Sequence, residues 1–269
     1  MSVHQLNFNG VNKIDIAIKR LQTFEPEEGY FLAFSGGKDS VVVKALADMA
    51  GVKYDAHYAI TSVDPPELVQ FVKTFDDVIM ERQYWEDGTP KTMWNLIPRK
   101  SLPPTRIARY CCTHLKEAQG KKRFVITGVR WEESPARKKR GGLELSNNKS
   151  YRMENNDPDN PDITMMYNCR TYLRRVLNPI IDWTTEDVWQ FIEEYNLPYC
   201  ELYDKGYTRL GCIGCPMAGK RRIEEFEKYP KFKQAYIRAF QKMIDNNNAA
   251  GKEQEWTTGE EVMEWWLSQ

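Results

Sequence analysis

The chain has 269 residues, 38 Lys+Arg against 38 Asp+Glu, and 41% hydrophobic and 12% aromatic residues. That apolar content supports a sizeable core in one large domain or two small ones. The zero formal charge argues against a general nucleic-acid coat, because bulk phosphate binding rests on excess positive charge.

No apolar run is long enough to cross a bilayer, so no membrane partner is expected. Met1-Ser2-Val3-His4-Gln5 lacks the basic-then-apolar order of a secretory signal, and a cytoplasmic location is the expectation. Amphipathic spacing predicts a helix over 12–23, and Pro26 and Gly29 mark a turn. The apolar run Tyr30–Phe34 reads as a buried strand. A glycine loop follows, then helical apolar spacing over Ser40–Ala50. Asp55–Ile60 reads as a strand, Pro66–Phe75 as a helix, Val78–Met80 as a third strand and Phe124–Gly128 as another. Asn178–Ile181 reads as a short strand, and Thr185–Tyr195 as a helix capped by Thr184 or Thr185. Residues 221–246 are helical and highly charged, and Gly259–Leu267 is a last helix rich in Trp.

Strands alternating with helices predict an α/β fold with a doubly wound, mostly parallel sheet. A helical, cysteine-bearing segment ends the chain. The expected organisation is one domain over 1–269 with a helical extension over 218–269. Residues 132–170 break the pattern with Arg137-Lys138-Lys139-Arg140, Gly141-Gly142 and an Asn/Asp/Pro-rich stretch, as a lid or flexible insert does. The basic run either steers a nucleic acid or is a solvated loop. Trp256, Trp265 and Trp266 either face a partner or pack on the domain's own core.

The loop Ser35-Gly36-Gly37-Lys38-Asp39-Ser40 lies between a strand and a helix. Glycines let the backbone approach a phosphate, its N–H groups point inward, and the helix N-terminus adds positive potential. Ser35 and Ser40 can donate hydroxyl hydrogen bonds and Lys38 can act as a counter-charge. Asp39 suits holding Mg²⁺ or ordering the loop. The spacing is not that of the Walker loop.

Cys111-Cys112 and Cys212-Ile213-Gly214-Cys215 are two pairs of soft ligands, suited to an iron–sulfur cluster or to zinc. Adjacent ligands are sterically awkward at one tetrahedral zinc, and a disulfide is disfavoured in a reducing compartment. Arg109 and Lys116 flank the first pair, and Lys220, Arg221 and Arg222 follow the second; cations of this kind favour thiolates. Gly211 and Gly214 are expected to shape the turn around a metal. Cys169 and Cys200 read as ordinary packed cysteines.

The hexapeptide resembles the PP-loop of the adenine nucleotide α-hydrolase superfamily, whose members cleave ATP between the α and β phosphates or bind a nucleotide made that way. From about Tyr30 to Met217 the chain resembles the phosphoadenosine phosphosulfate reductase family. The matching segments are Asp64-Pro65-Pro66-Glu67; Arg109-Tyr110-Cys111-Cys112 with Leu115-Lys116; and Thr127-Gly128-Val129-Arg130 with Glu133-Ser134 and Arg137. Pro179-Ile180-Ile181-Asp182-Trp183 through Asp187-Val188-Trp189, Leu197-Pro198-Tyr199, Leu202-Tyr203-Asp204, Gly206-Tyr207 and Gly211-Cys212 with Cys215 continue the match. The resemblance implies 4Fe–4S ligation by Cys111, Cys112, Cys212 and Cys215, with zinc the alternative. It also implies nucleotide contacts from Asp64, Lys116, Arg130 and Arg137 beside residues 35–40. Lys38, Asp39, Lys116 and Arg130 become the expected catalytic set, with ATP or another adenine nucleotide and Mg²⁺.

Two departures refine this. Sulfonucleotide reductases attack sulfur with a cysteine in a C-terminal Glu-Cys-Gly segment, and no cysteine follows Cys215 here. Those reductases also carry a modified loop, whereas this one is the full Ser-Gly-Gly-Lys-Asp-Ser. Both departures point towards relatives such as the DNA phosphorothioation sulfurtransferase. An ATP pyrophosphatase-type enzyme that adenylates a substrate for sulfur transfer is therefore the first expectation. Its partner would be a sulfur donor protein or a nucleic-acid-modification component. A sulfonucleotide reductase using an external or trans thiol is the second, and a non-catalytic nucleotide-binding subunit the third.

Overall fold

The computed structural model describes residues 3–4, 12–117, 119–120, 122–147, 149–152 and 174–269. Cys169 and most of the Asn/Asp/Pro-rich stretch lie outside the described residues.

Helix α1 (Lys13–Thr23) opens on Asn12, whose side chain accepts the Asp15 N–H at 2.8 Å and so satisfies one of the amides a helix start leaves unpaired. Strand β1 (Tyr30–Ala33) follows, with Tyr30, Phe31 and Leu32 at most 5% exposed. A strand apolar on both faces belongs at the centre of a covered parallel sheet. It runs into α2 (Lys38–Ala50), β2 (Tyr54–Ala59), α3 (Pro66–Val72), β3 (Val78–Glu81), α4 (Met93–Lys100), α5 (Tyr110–Leu115) and β4 (Phe124–Ile126). Then come β5 (Leu143–Asn147), β6 (Lys149–Arg152), β7 (Arg174–Leu177), α6 (Thr185–Glu194), α7 (Arg221–Lys228), α8 (Pro230–Ala249) and α9 (Gly259–Ser268).

The seven strands form one sheet in the order β3-β2-β1-β4-β7-β5-β6. β1 pairs parallel with β2 and β4, and β4 parallel with β7, while β5 is antiparallel to β7 and β6. The chain is thus α/β with a mostly parallel sheet. After β1 the chain winds outward through β2 and β3. β4 then begins on the other side of β1. This reversal places the carboxyl ends of β1 and β4 at the switch point where open α/β sheets receive ligands.

The short strand expected over Asn178–Ile181 is instead Arg174–Leu177. Pro179 cannot donate a ladder hydrogen bond, and Asn178–Ile181 closes a turn, with the Ile181 N–H donating to the Asn178 carbonyl at 3.2 Å. The expected insert over 132–170 supplies two strands, extending the sheet beyond β7 through the β5 pairing Leu143↔Leu177. The helical run over 221–246 breaks at Tyr229 because Pro230, without an N–H, starts a new helix.

The chain divides into two compact units. One comprises 1–58, 70–80 and 120–209 and carries the sheet. The other comprises 59–69, 81–119 and 210–269, and its core is helical: α8 packs on α4 and α9. Trp266 is 1% exposed among Phe226, Tyr236 and Phe240, so the C-terminal Trp helix packs on its own core. Cys200 is fully buried, as expected. No helix among the described residues is long and apolar enough to cross a membrane.

Candidate functional site

In the sheet-bearing unit, residues 34–37 carry the chain from β1 into α2. Gly36 has φ +71° and Gly37 is the N-cap, with no side chain capping the helix. In the first turn of this 13-residue helix the Ser40 and Val41 N–H groups donate to the Gly37 carbonyl at 3.0 and 3.1 Å, and a helix start of this kind adds positive potential. The hydroxyls hold the loop open. Ser40 donates to the Gly37 carbonyl at 2.8 Å and accepts the Ser35 N–H at 3.2 Å. The Lys38 N–H donates to the Tyr203 hydroxyl at 2.9 Å. The Lys38 ammonium is 5.7 Å from the Tyr203 ring centroid.

The second residue after β4 closes onto this loop. Gly128 approaches so near that a Cβ there would lie 2.9 Å from the Asp39 Cβ, C and O atoms. Two residues on, Arg130 is 2% exposed and donates from Nε to Asp39 Oδ1 at 2.6 Å. Its other nitrogens reach Glu132 at 3.0 Å, the Trp183 carbonyl and the Thr185 hydroxyl. Asp39 Oδ2 meets Lys38 Nζ at 3.1 Å. Both Asp39 oxygens are therefore engaged by cations, which is the arrangement of a residue that orders the loop. A Mg²⁺ held by phosphate oxygens needs few protein ligands. Arg137 pairs with Glu133. Burial, followed by the charges of Arg209 and Arg140, holds the Arg137 guanidinium down to about 10, with Arg130 adding to the repulsion. Positive charges gathered this way form an anion-attracting field. Lys38, Asp39, Ser35, Ser40 and Arg130 are brought together, with Arg137 in the same field.

The cysteines assemble in the helical unit. Cys111 and Cys112 lie on the first turn of α5, and Cys212 and Cys215 on the loop before a 3-10 turn over Pro216–Ala218. That loop is anchored by the Ile213 N–H on the Val63 carbonyl at 2.7 Å and by the Gly214 N–H on Glu225 at 2.8 Å. Gly214 has φ +72°, and a Cβ there would sit 2.4 Å from the Phe226 ring, so glycine is required on both counts. Gly211, expected to share that role, has open space where a Cβ would go and no positive φ. The turn is thus shaped by Gly214.

The four thiols share one field: Cys112, Cys212 and Cys215 all help hold the Cys111 thiol protonated, its hydrogen bond to Cys112 first. Cys112 is held low by that same bond and then by Arg109, whose Nη2 is 3.5 Å from the sulfur. Lys116 keeps its proton because of Cys212 first, and then Asp64 and Cys112. Asp64 accepts the Thr61 N–H at 2.8 Å, and Thr61 Oγ1 lies 3.6 Å from Cys212 Sγ. Asp64 and Lys116 lie in the same unit as the cysteines.

Among the described residues no three His, Cys, Asp or Glu converge as ligands of a single ion. The four thiols are partly buried; Arg109 and Lys116 act electrostatically on Cys112, and Cys215 acts on the buried Arg222. Tyr203 belongs to the Leu202-Tyr203-Asp204 segment of the matched pattern, which by itself assigns it no role. Its contact with Lys38 spans 165 residues, and no local pattern announces it.

The family model described as the phosphoadenosine phosphosulfate reductase domain matches residues 29–218. An uncharacterized protein of Methanocaldococcus jannaschii is 28% identical over 223 residues, which cover 79% of this chain and 46% of that protein. The adenosine 5'-phosphosulfate reductase of Anoxybacillus flavithermus is 26% identical over 123 residues, 46% of this chain and 40% of that one. The chain spans less than half the length of these curated relatives. The solved phosphoadenylyl-sulfate reductase of Candida auris is 17% identical, with a TM-score of 0.46, and the match covers 79% of this chain and 98% of that one.

Proposed function

Because the chain belongs to the phosphoadenosine phosphosulfate reductase domain family, we propose that it binds an adenine nucleotide on residues 35–40 and cleaves ATP between the α and β phosphates. A nucleophilic oxygen of the acceptor forms a bond to the α phosphorus, the bond to the β-phosphate oxygen breaks, and pyrophosphate leaves. A sulfur nucleophile of the donor then forms a bond to the activated centre of the acceptor, the bond from that centre to the adenylate oxygen breaks, and AMP leaves. The observation that carries this reading is the buried Arg130, locked on Asp39 beside a helix start whose N-cap, Gly37, offers no capping side chain. Such preorganised donors act where negative charge develops on the leaving group. Lys38 and Arg130 offset phosphate charge, and Arg137 extends that field. Mg²⁺ bound with the nucleotide would spread charge over the phosphates.

Cys111, Cys112, Cys212 and Cys215 are proposed to hold a 4Fe–4S cluster, which supplies an iron–sulfur centre for redox or sulfur handling when bound. Anaerobic purification with an absorption spectrum and Fe, Zn and sulfide analysis tests it: a colourless, zinc-loaded protein removes the cluster. Pyrophosphate release from Mg-ATP with candidate acceptors tests the chemistry. No release, where a cluster-bearing relative releases it, removes ATP cleavage.

The crowding of Arg137 by Arg209 and Arg140 also suits a sulfonucleotide, so reduction with an external thiol is the second reading. Sulfite release from adenylyl sulfate with thioredoxin under anaerobic conditions selects it. Tight ATP binding without any product assigns a nucleotide-binding subunit instead.

A further inference from the structure

Arg130 has little left to offer a ligand. Its Nε donates to Asp39 at 2.6 Å, and its Nη1 donates to Glu132 at 3.0 Å and to the Trp183 carbonyl at 3.3 Å. Nη2 donates to the Thr185 hydroxyl at 3.3 Å. A guanidinium carries one hydrogen on Nε and two on each Nη, so a single Nη2 hydrogen is left for a bound anion. The plane of the group sets the direction of that hydrogen. Asp39 fixes the plane at Nε, and other groups must fix it at the two Nη atoms.

Glu132 does this. One carboxylate oxygen, Oε2, accepts Arg130 Nη1, the Thr185 N–H and, at 2.8 Å, the Thr185 hydroxyl. Thr185 Oγ1 in turn accepts Arg130 Nη2, so guanidinium, hydroxyl and carboxylate oxygen close a ring. Glu133 fixes the backbone end of the same arginine, accepting its N–H at 2.9 Å. The elements on either side of the ring are secured without it. At the start of α6, Thr184 accepts the Asp187 N–H at 3.1 Å and Asp187 accepts the Thr184 N–H at 2.6 Å. The turn carrying Glu132 is pinned by Trp131, whose backbone N–H donates to the Ile181 carbonyl at 2.8 Å and whose Nε1 donates to the Arg140 carbonyl at 2.7 Å. The Glu132 side chain is 49% exposed, and an ion pair so placed adds little to stability.

We propose that Glu132 is a positioning residue of the nucleotide site: through Arg130 and Thr185 it fixes the direction of the one guanidinium hydrogen left for phosphate, while its own negative charge weakens nucleotide binding. The inference rests on the ATP-cleavage reading given above. Its two effects have opposite signs. A carboxylate beside Arg130 opposes an arriving polyanion and so lowers affinity. The orientation it imposes raises the rate, because a donor accelerates the reaction only where it meets the charge that develops. A residue that merely linked the turn to α6 would not move affinity and rate in opposite directions.

The test compares Mg-ATP affinity by calorimetry with single-turnover pyrophosphate release at saturating Mg-ATP and the candidate acceptors, in the full chain. Glu132→Gln removes the charge and keeps the length of the side chain. It is expected to bind ATP about three- to tenfold more tightly and to release pyrophosphate at least about tenfold more slowly. Thr185→Ala removes the hydroxyl of the ring and keeps the charge, so it is expected to share the slower release without the tighter binding. A Glu132→Gln protein whose affinity and rate do not move in these opposite directions overturns the inference and leaves Glu132 as a link between the turn and α6. If that protein does not fold, Thr185→Ala decides, and a wild-type rate in it overturns the inference. No pyrophosphate from the wild-type protein overturns the ATP-cleavage reading itself, and the inference with it.

Discussion

Gly128→Ala is the smallest change that separates the two sides of the proposed nucleotide site. The added methyl would lie 2.9 Å from three Asp39 atoms, two of them backbone. Carbon–carbon contact is comfortable at about 3.5–4.0 Å, so a gap of roughly 0.6–1.1 Å must open. The sheet resists it, because β4 is held in register with β1 at Phe31↔Val125 and Leu32↔Ile126. Overpacking of this kind costs about 1–3 kcal/mol, which for a chain of this size lowers the thermal midpoint by roughly 2–12 °C. The 2.6 Å Arg130–Asp39 bond stretches with it. Misplacing a reacting group by about 1 Å can cost on the order of 100-fold in rate, so pyrophosphate release is expected to fall at least tenfold. Differential scanning fluorimetry and a coupled pyrophosphate assay read the two effects. Gly211→Ala, with nothing within 4 Å of its new methyl, is the control and should change stability by less than about 0.5 kcal/mol. A Gly128→Ala protein matching that control in both assays would show that the loop after β4 does not set the geometry at Asp39.

Gly214→Ala meets Phe226 at 2.4 Å and forces a left-handed alanine; a loss of roughly 2–5 kcal/mol is expected in urea denaturation, with reduced metal loading. Tyr203→Phe leaves the Lys38 N–H without its 2.9 Å acceptor and should lower the stability of the nucleotide-free protein by about 0.5–1.5 kcal/mol. A phosphate that takes over that N–H no longer displaces Tyr203, so nucleotide should bind up to about tenfold more tightly by calorimetry; weaker binding would assign the hydroxyl a direct contact instead. Pyrophosphate at about 100 times its Kd should stabilise the wild-type protein by about 2.7 kcal/mol, and Arg137→Gln should shrink that gain. The sign follows from the guanidinium being held down to about 10. Its repulsion is fully present below that pH and lifts as pH rises through it, and a bound anion offsets the same repulsion at neutral pH.

The nucleotide loop was legible because strand, glycines and helix are consecutive and each carries its own local signal. The β7 register was not. Ile180 and Ile181 are fully buried, but in a turn after the strand, and an apolar pair does not reveal which of the two buries it. Helix α4 carries no clear sequence signal because Pro98 lies inside it, and α5 because six residues leave no room for periodicity. The tertiary partners Tyr203 and Arg222 were invisible for a different reason. Their roles come from contacts with Lys38 and Gln269, made across 165 and 47 positions.

Charge placement changes the meaning of the composition. Equal numbers of cations and anions argued only that no general polyanion surface exists. The cations are not spread evenly: Lys38, Arg130, Arg137 and Arg209 share the field at the loop after β1, while Arg109, Lys116 and Arg222 share that of the cysteines. At the loop, Lys38 and Arg130 are paired by Asp39, a side chain belonging to the site itself. Its charge offsets part of theirs while the loop is empty and fixes their direction when phosphate arrives. At the cysteines Arg109 and Lys116 act on Cys112, and Cys212 acts on Lys116, so thiol and cation charges offset each other there. The loop is thus neutralised by a carboxylate of its own, and the cysteines are balanced by the cations beside them.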